Sequence, residues 1–98
     1  MRKSKPYDDL LMRDLQDDEF AVDFLNLSLE EDGVDGFLRA LDAVMKARKI
    51  SGEQISRKAN LSKRTVYHSL SDQGNPTLKT IYPLIQALGF QISLKRHA

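Results

Sequence analysis

A chain of 98 residues, 41% hydrophobic and 30% charged, can bury one modest core and makes one domain, with or without a tail. It has no cysteine, which excludes disulfides and thiolate metal sites. No apolar run approaches the roughly 20 residues of a membrane span, and the basic N-terminus leads into acidic rather than apolar sequence, unlike a signal peptide. A cytoplasmic protein with no membrane contact and no cofactor or metal is expected. The formal charge of +1 hides an asymmetry: residues 7–35 carry eleven acids against Arg13, and residues 36–98 carry eleven bases against Asp42, Glu53 and Asp72. Such an arrangement reads either as two partners of opposite character, the basic body suiting a polyanion, or as solvated faces.

Residues 1–16, with Arg2, Lys3 and Lys5 ahead of the first acids, lack a single apolar face and read as a flexible basic/acidic segment preceding a domain at 17–98. From about Asp17 to Glu31 a helix is expected. Its apolar residues Phe20, Ala21, Val22, Phe24, Leu25, Leu27 and Leu29 surround much of the cylinder. Such a helix is either sandwiched in the core or covered by another chain. Asp32 and Gly33 punctuate, and a second helix follows from about Val34 to Lys49, with Phe37, Leu38, Leu41, Val44 and Met45 on one face.

Ser51, with Gln54 three residues on, opens a short third helix through Ala59, and Ser62 opens a fourth through about Ser71. Residues 72–76 read as a loop. Thr77 caps a fifth helix that buries Leu78, Ile81, Leu84, Ile85 and Leu88, with a kink or tightened turn expected at Pro83 and a stop at Gly89. Phe90, Ile92 and Leu94 then alternate with Gln91, Ser93 and Lys95, which predicts a strand at about 90–95. With no strand partner elsewhere in the chain, it would pair across a dimer axis or with another protein; the other reading is a tail packed on the core.

The segment ISRKANLSKRTVYHSL, residues 55–70, carries the chemistry. Two short helices meet at Asn60, a residue that accepts the left-handed conformation of a tight turn. Ser56 is small at the crossing, and Ile55, Ala59, Leu61, Val66 and Leu70 set the angle between the helices. This is a helix-turn-helix over about 51–71, whose second helix enters the major groove of DNA. On that helix Val66, Ser69 and Leu70 point one way. Arg64, Tyr67, His68 and Ser71 point the other way, with Lys63 at the exposed first turn. Lys63, Arg64, Tyr67 and His68 are therefore the candidate base contacts, cations donating to guanine O6 and N7. For His68 an exposed or structural role competes with the base contact. Ser51, Gly52 and Ser62 at helix starts, and Asn75, Thr77 and Lys79 at the entry of the fifth helix, are candidate DNA-backbone contacts or simply loop and cap residues.

This segment, with GNPTLKTIYPLIQALGFQISL at 74–94, resembles the lambda-repressor-like (XRE) helix-turn-helix family. More closely, it looks like the HigA-like addiction-module antidotes, the antitoxins of bacterial toxin–antitoxin operons. AVDFLNLSLEED at 21–32 and FLRALDAVMKARKIS at 37–51 are similar to that family's opening, so the likeness covers about residues 7–95. It implies an all-α, five-helix lambda-repressor-like domain, here expected to end in a short C-terminal β-strand. It also implies a homodimer that binds its own double-stranded operator and neutralises a RelE/ParE-like toxin. Carried over by the resemblance, Lys63, Arg64 and His68 match base-reading positions, and Ser62 and Thr65 match backbone-contacting ones. Two departures stand out: Gly52 where a phosphate-binding Gln is common, and Leu70 where an acid often lies. The second of these matches the antidote branch.

Phe20, Phe24 and Leu27, set in an acidic stretch, are the candidate toxin contacts, complementing a basic RNA-cleaving protein; the competing reading is that they complete the core. The alternative function is a stand-alone phage or plasmid repressor without a toxin. Two histidines and no glycine-rich phosphate loop give no catalytic constellation, so no enzymatic activity is expected.

Overall fold

In the computed structural model, which describes residues 8–97, the order is α1 (Asp9–Asp14), α2 (Asp18–Ala47), α3 (Gly52–Ala59), α4 (Lys63–Ser69) and α5 (Leu78–Ala87). The expected flexible segment is described only from Asp8 onward, and Arg2, Lys3 and Lys5 lie outside the described residues. Residues 9–14, to which the sequence reading gives no element, form α1. Asp8 caps it by accepting from the Leu11 amide at 2.8 Å, and Leu15 follows it into the core.

α2 is two limbs. Thirty residues of straight helix would measure about 45 Å, longer than the largest extent of the molecule, 36 Å. The break is at Gly33, whose φ of 73° with ψ of −161° is a backbone region essentially reserved for glycine. The expected punctuation at 32–33 and the helices on either side therefore correspond to observed limbs at 18–32 and 34–47. The limbs fold back on each other. Gln16 Nε2 donates to the Ala47 carbonyl at 3.3 Å, and Arg48 Nε donates to the Leu15 carbonyl at 3.1 Å. Arg48 also meets Asp18 at 3.0 Å and lies 5.2 Å from the centre of the Phe90 ring. Asp18 is mostly exposed, so the ion pair itself contributes under about 1 kcal/mol; Arg48 acts mainly as a tie between segments distant in sequence.

One core draws on every part of the described chain. Leu15, Leu41, Val44, Ile55, Val66 and Leu84 are fully buried, and Leu25, Leu38, Met45, Leu70, Ile81, Ile85 and Leu88 join them. α3 packs against both α4 and α5, and α1 against α2. The second limb of α2 therefore buries the face that its spacing predicts, with Phe37 half-buried at the edge.

Four expectations need correction. First, the fold is all-α, but no strand forms among the described residues. Past α5 the chain makes a Schellman close: Gly89 takes φ 96°, its amide donates to the Gln86 carbonyl at 2.9 Å, and the Phe90 amide donates to the Ile85 carbonyl at 3.1 Å. Phe90 and Ile92 then lie half-buried on the core, while Leu94 is 96% exposed. The alternation that predicted a strand is that of a tail laid on an apolar surface. A strand also needs a second segment to bond, and among the described residues none pairs with the tail.

Second, Leu78 is 70% exposed, because the first turn of α5 projects beyond the core that Ile81 and Ile85 reach. Third, Thr77 has the extended N-cap conformation but makes no side-chain cap bond. Fourth, α5 runs unbroken through Pro83. Three-residue bonds appear at both its ends, from the Thr80 amide to the Thr77 carbonyl at 3.0 Å and from the Leu88 amide to the Ile85 carbonyl at 3.1 Å.

Candidate nucleic-acid interface

The two helices at 52–69 take their shape from local chemistry. Ser51 and Gln54 form a reciprocal capping box: Ser51 Oγ accepts from the Gln54 amide at 3.1 Å, and Gln54 Oε1 accepts from the Ser51 amide at 2.9 Å. Asn60 ends α3 with φ 57° and ψ 44°, the left-handed geometry its short polar side chain tolerates. Ser62 opens α4, accepting from the Thr65 amide at 3.0 Å and donating to Thr65 Oγ1 at 2.8 Å. Ile55, Ala59, Val66 and Leu70 are buried and Leu61 half-buried, so the turn is clamped by apolar contacts. Ser69 is the buried polar residue of α4. Its hydroxyl is satisfied by the Thr65 carbonyl at 2.7 Å, one turn back.

α4 consequently shows two unlike faces. Val66, Ser69 and Leu70 face the core, and Lys63, Arg64, Tyr67 and His68 are exposed. Among the described residues no acid lies within ion-pair distance of Lys63, Arg64 or His68, so their donors are open to solvent. Arg57 on α3 is held by Glu53 at 3.5 Å, an exposed pair one turn apart.

A polar groove runs between α4 and the start of α5, lined by Arg64, Thr65, His68, Asn75, Pro76, Thr77 and Thr80. It brings together residues the sequence reading places in separate roles. Thr77 makes no side-chain cap bond, and among the described residues its hydroxyl has no hydrogen-bond partner. Thr80 was missed; the signal was its position three residues after Thr77, on the same side of the helix. Lys79 is exposed on the first turn of α5 but does not line the groove. Ser51 and Ser62 have their hydroxyls engaged in capping, and Thr65 is half-buried, accepting from Ser62. On the α3 side of α4, Tyr67 leans over Gly52, which is buried although it opens a helix.

The candidate protein contacts separate as well. Phe20 is exposed and Leu27 is 52% exposed. Phe24 is half-buried, lining a groove between the limbs of α2 with Ser28, Asp32, Gly36 and Arg39. Val22 and Leu29, also exposed, flank a second apolar groove with Phe37, Ile85, Phe90 and Ile92. Of the seven apolar residues expected on this limb, only Ala21 and Leu25 are fully in the core.

A family model described as "Probable addiction module antidote protein" matches residues 5–96, nearly the whole chain. The chain belongs to that family. A second comparison finds similarity to an uncharacterised protein of Haemophilus influenzae, 37% identical over 73 residues, which are 74% of this chain and 73% of that protein. No solved structure matches. The match to the antidote family takes in the acidic limb of α2, the two-helix unit and the tail alike. Among the described residues no helix is long and apolar enough to cross a membrane.

Proposed function

We propose that this antidote-family chain is a HigA-like antitoxin with a lambda-repressor-like (XRE) helix-turn-helix, a regulatory binding protein rather than a catalyst. In this reading it binds the double-stranded operator of its own operon as a homodimer and neutralises a RelE/ParE-like toxin encoded beside it. The observation that carries the DNA reading is α4: a cationic, acid-free exposed face on a helix set off from α3 by the Asn60 turn. Lys63, Arg64 and His68 supply donors to base edges, a good bidentate contact being worth about 1–3 kcal/mol of discrimination. Asn75, Thr77 and Thr80 border Arg64 across the groove and suit the phosphate backbone, with Lys79 adding charge nearby. Ser51, Gly52, Ser62 and Thr65 act chiefly through the helix starts they shape.

The toxin reading rests on family membership together with the first limb of α2. Phe20, Phe24 and Leu27 form an apolar stripe beside Asp23, Glu30 and Glu31, which suits a basic protein partner. Footprinting of the chain on its own promoter, with and without the product of the adjacent gene, tests both halves. Protection of a palindromic site, altered by a neighbouring toxin, is expected. Absence of any protected site would refute operator binding, and indifference to the neighbouring product would refute the toxin pairing.

A further inference from the structure

Tyr67 is expected from the sequence to be among the base readers, yet its ring is already seated. A Cβ built on Gly52 would collide with the ring's ζ carbon and lie 2.6 Å from the phenol oxygen. The phenol therefore occupies the space where a side chain at position 52 would begin. Glycine is a poor helix former, and at the first residue of α3 it forgoes the stability that alanine would give. The close approach of Tyr67 accounts for it. The ring nevertheless remains 53% exposed, and among the described residues its hydroxyl has no hydrogen-bond partner. Arg64 and His68, on the same exposed face, lie instead toward α5, where they line the groove.

Resting on the operator-binding reading above, we infer that Tyr67 is a backbone-contacting and positioning residue. Its phenol, held against Gly52, donates to a DNA phosphate at the α3 edge of the interface, and sequence discrimination is left to Arg64 and His68 on the α5 side of the same exposed face. A phosphate contact of this kind fixes the register of the helix on the duplex without reading sequence. Because the hydroxyl is neutral, it contributes affinity without neutralising a phosphate charge.

The test uses the full chain, a duplex of its own promoter and a scrambled duplex of equal length, across a salt series. Tyr67→Phe keeps the ring over Gly52 and removes only the donor. It should weaken binding to both duplexes by a similar factor, on the order of tenfold for a hydrogen bond to a charged group. The slope of log affinity against log salt should be unchanged. Gly52→Ala should weaken both duplexes alike by displacing the phenol, and adding Tyr67→Ala to Gly52→Ala should cause no further loss. A Tyr67→Phe loss confined to the promoter duplex would make Tyr67 a base reader and overturn the inference, as would wild-type affinity for both duplexes. If the wild-type chain bound neither duplex, the operator-binding reading itself would fall, an outcome separate from any pattern among the variants.

Discussion

The first limb of α2 and the exposed face of α4 are the two places where this chain presents chemistry that its core does not use, and they are opposites. The limb buries Ala21 and Leu25 but leaves Phe20, Val22, Leu27 and Leu29 in solvent among acids. α4 buries Val66, Ser69 and Leu70 and leaves cations, an imidazole and a phenol, with no acid paired to them among the described residues. Exposed apolar area with an acidic rim favours a protein surface that can exclude water and supply positive charge. A small cationic face whose one large ring, Tyr67, carries a hydroxyl favours a polyanion. The comparison teaches that the two surfaces are separable at the level of side chains although they share one core.

The severest perturbation should erase the comparison. Leu41 is fully buried, so Leu41→Ala is expected to lower stability by about 2–5 kcal/mol. Urea melts would register the loss, and DNA binding and toxin neutralisation should decline together as temperature rises. Arg64→Ala should sharpen the contrast. We expect about 1–3 kcal/mol lost on the operator, relaxed sequence preference and undiminished toxin binding, read by fluorescence anisotropy on each partner. Unchanged operator affinity would remove Arg64 from base recognition.

On the opposite surface, Phe20→Ser combined with Leu27→Ser should weaken toxin binding by at least about 1 kcal/mol, as expected of anchors in a protein interface. Calorimetric titration against the toxin would detect it, and operator affinity should stay at the wild-type value. Deleting residues 1–31 could not make this distinction, since Leu15, Ala21 and Leu25 belong to the core. The mildest change lies between the two regions. Lys49 takes φ 55° after α2, a strain that Lys49→Gly should relieve. A net gain of up to about 1 kcal/mol, a small rise in Tm, is expected, with both binding activities retained.

Much of the α3–α4 unit was legible in the residues because its determinants are local. Capping at Ser51 and Ser62, a left-handed turn at Asn60 and the spacing of Val66, Ser69 and Leu70 act within one or two helical turns. Gly33 was legible for the same reason, since a positive φ is a property of one residue. Harder to read were features that depend on what lies opposite. The tail at 90–95 has the period of a strand, but a period describes one segment and a strand requires two. Leu78 keeps the helical spacing of Ile81 and Ile85, yet spacing gives a direction and not the distance to which the core extends. The seating of Tyr67 on Gly52 follows from how closely α4 crosses the start of α3, which no residue encodes alone.

The linear chain by itself determined the helical class, the turn at Asn60, the break at Gly33 and which side of α4 is greasy, because each arises from torsions and contacts between near neighbours. Only tertiary structure decided that the tail remains unpaired, that α1 closes over the core through Leu15, that Thr77 is freed beside Arg64, and that Tyr67 is held at the edge of its helix. Those outcomes depend on where distant segments meet, and burial, unlike backbone conformation, is a property of the assembled whole.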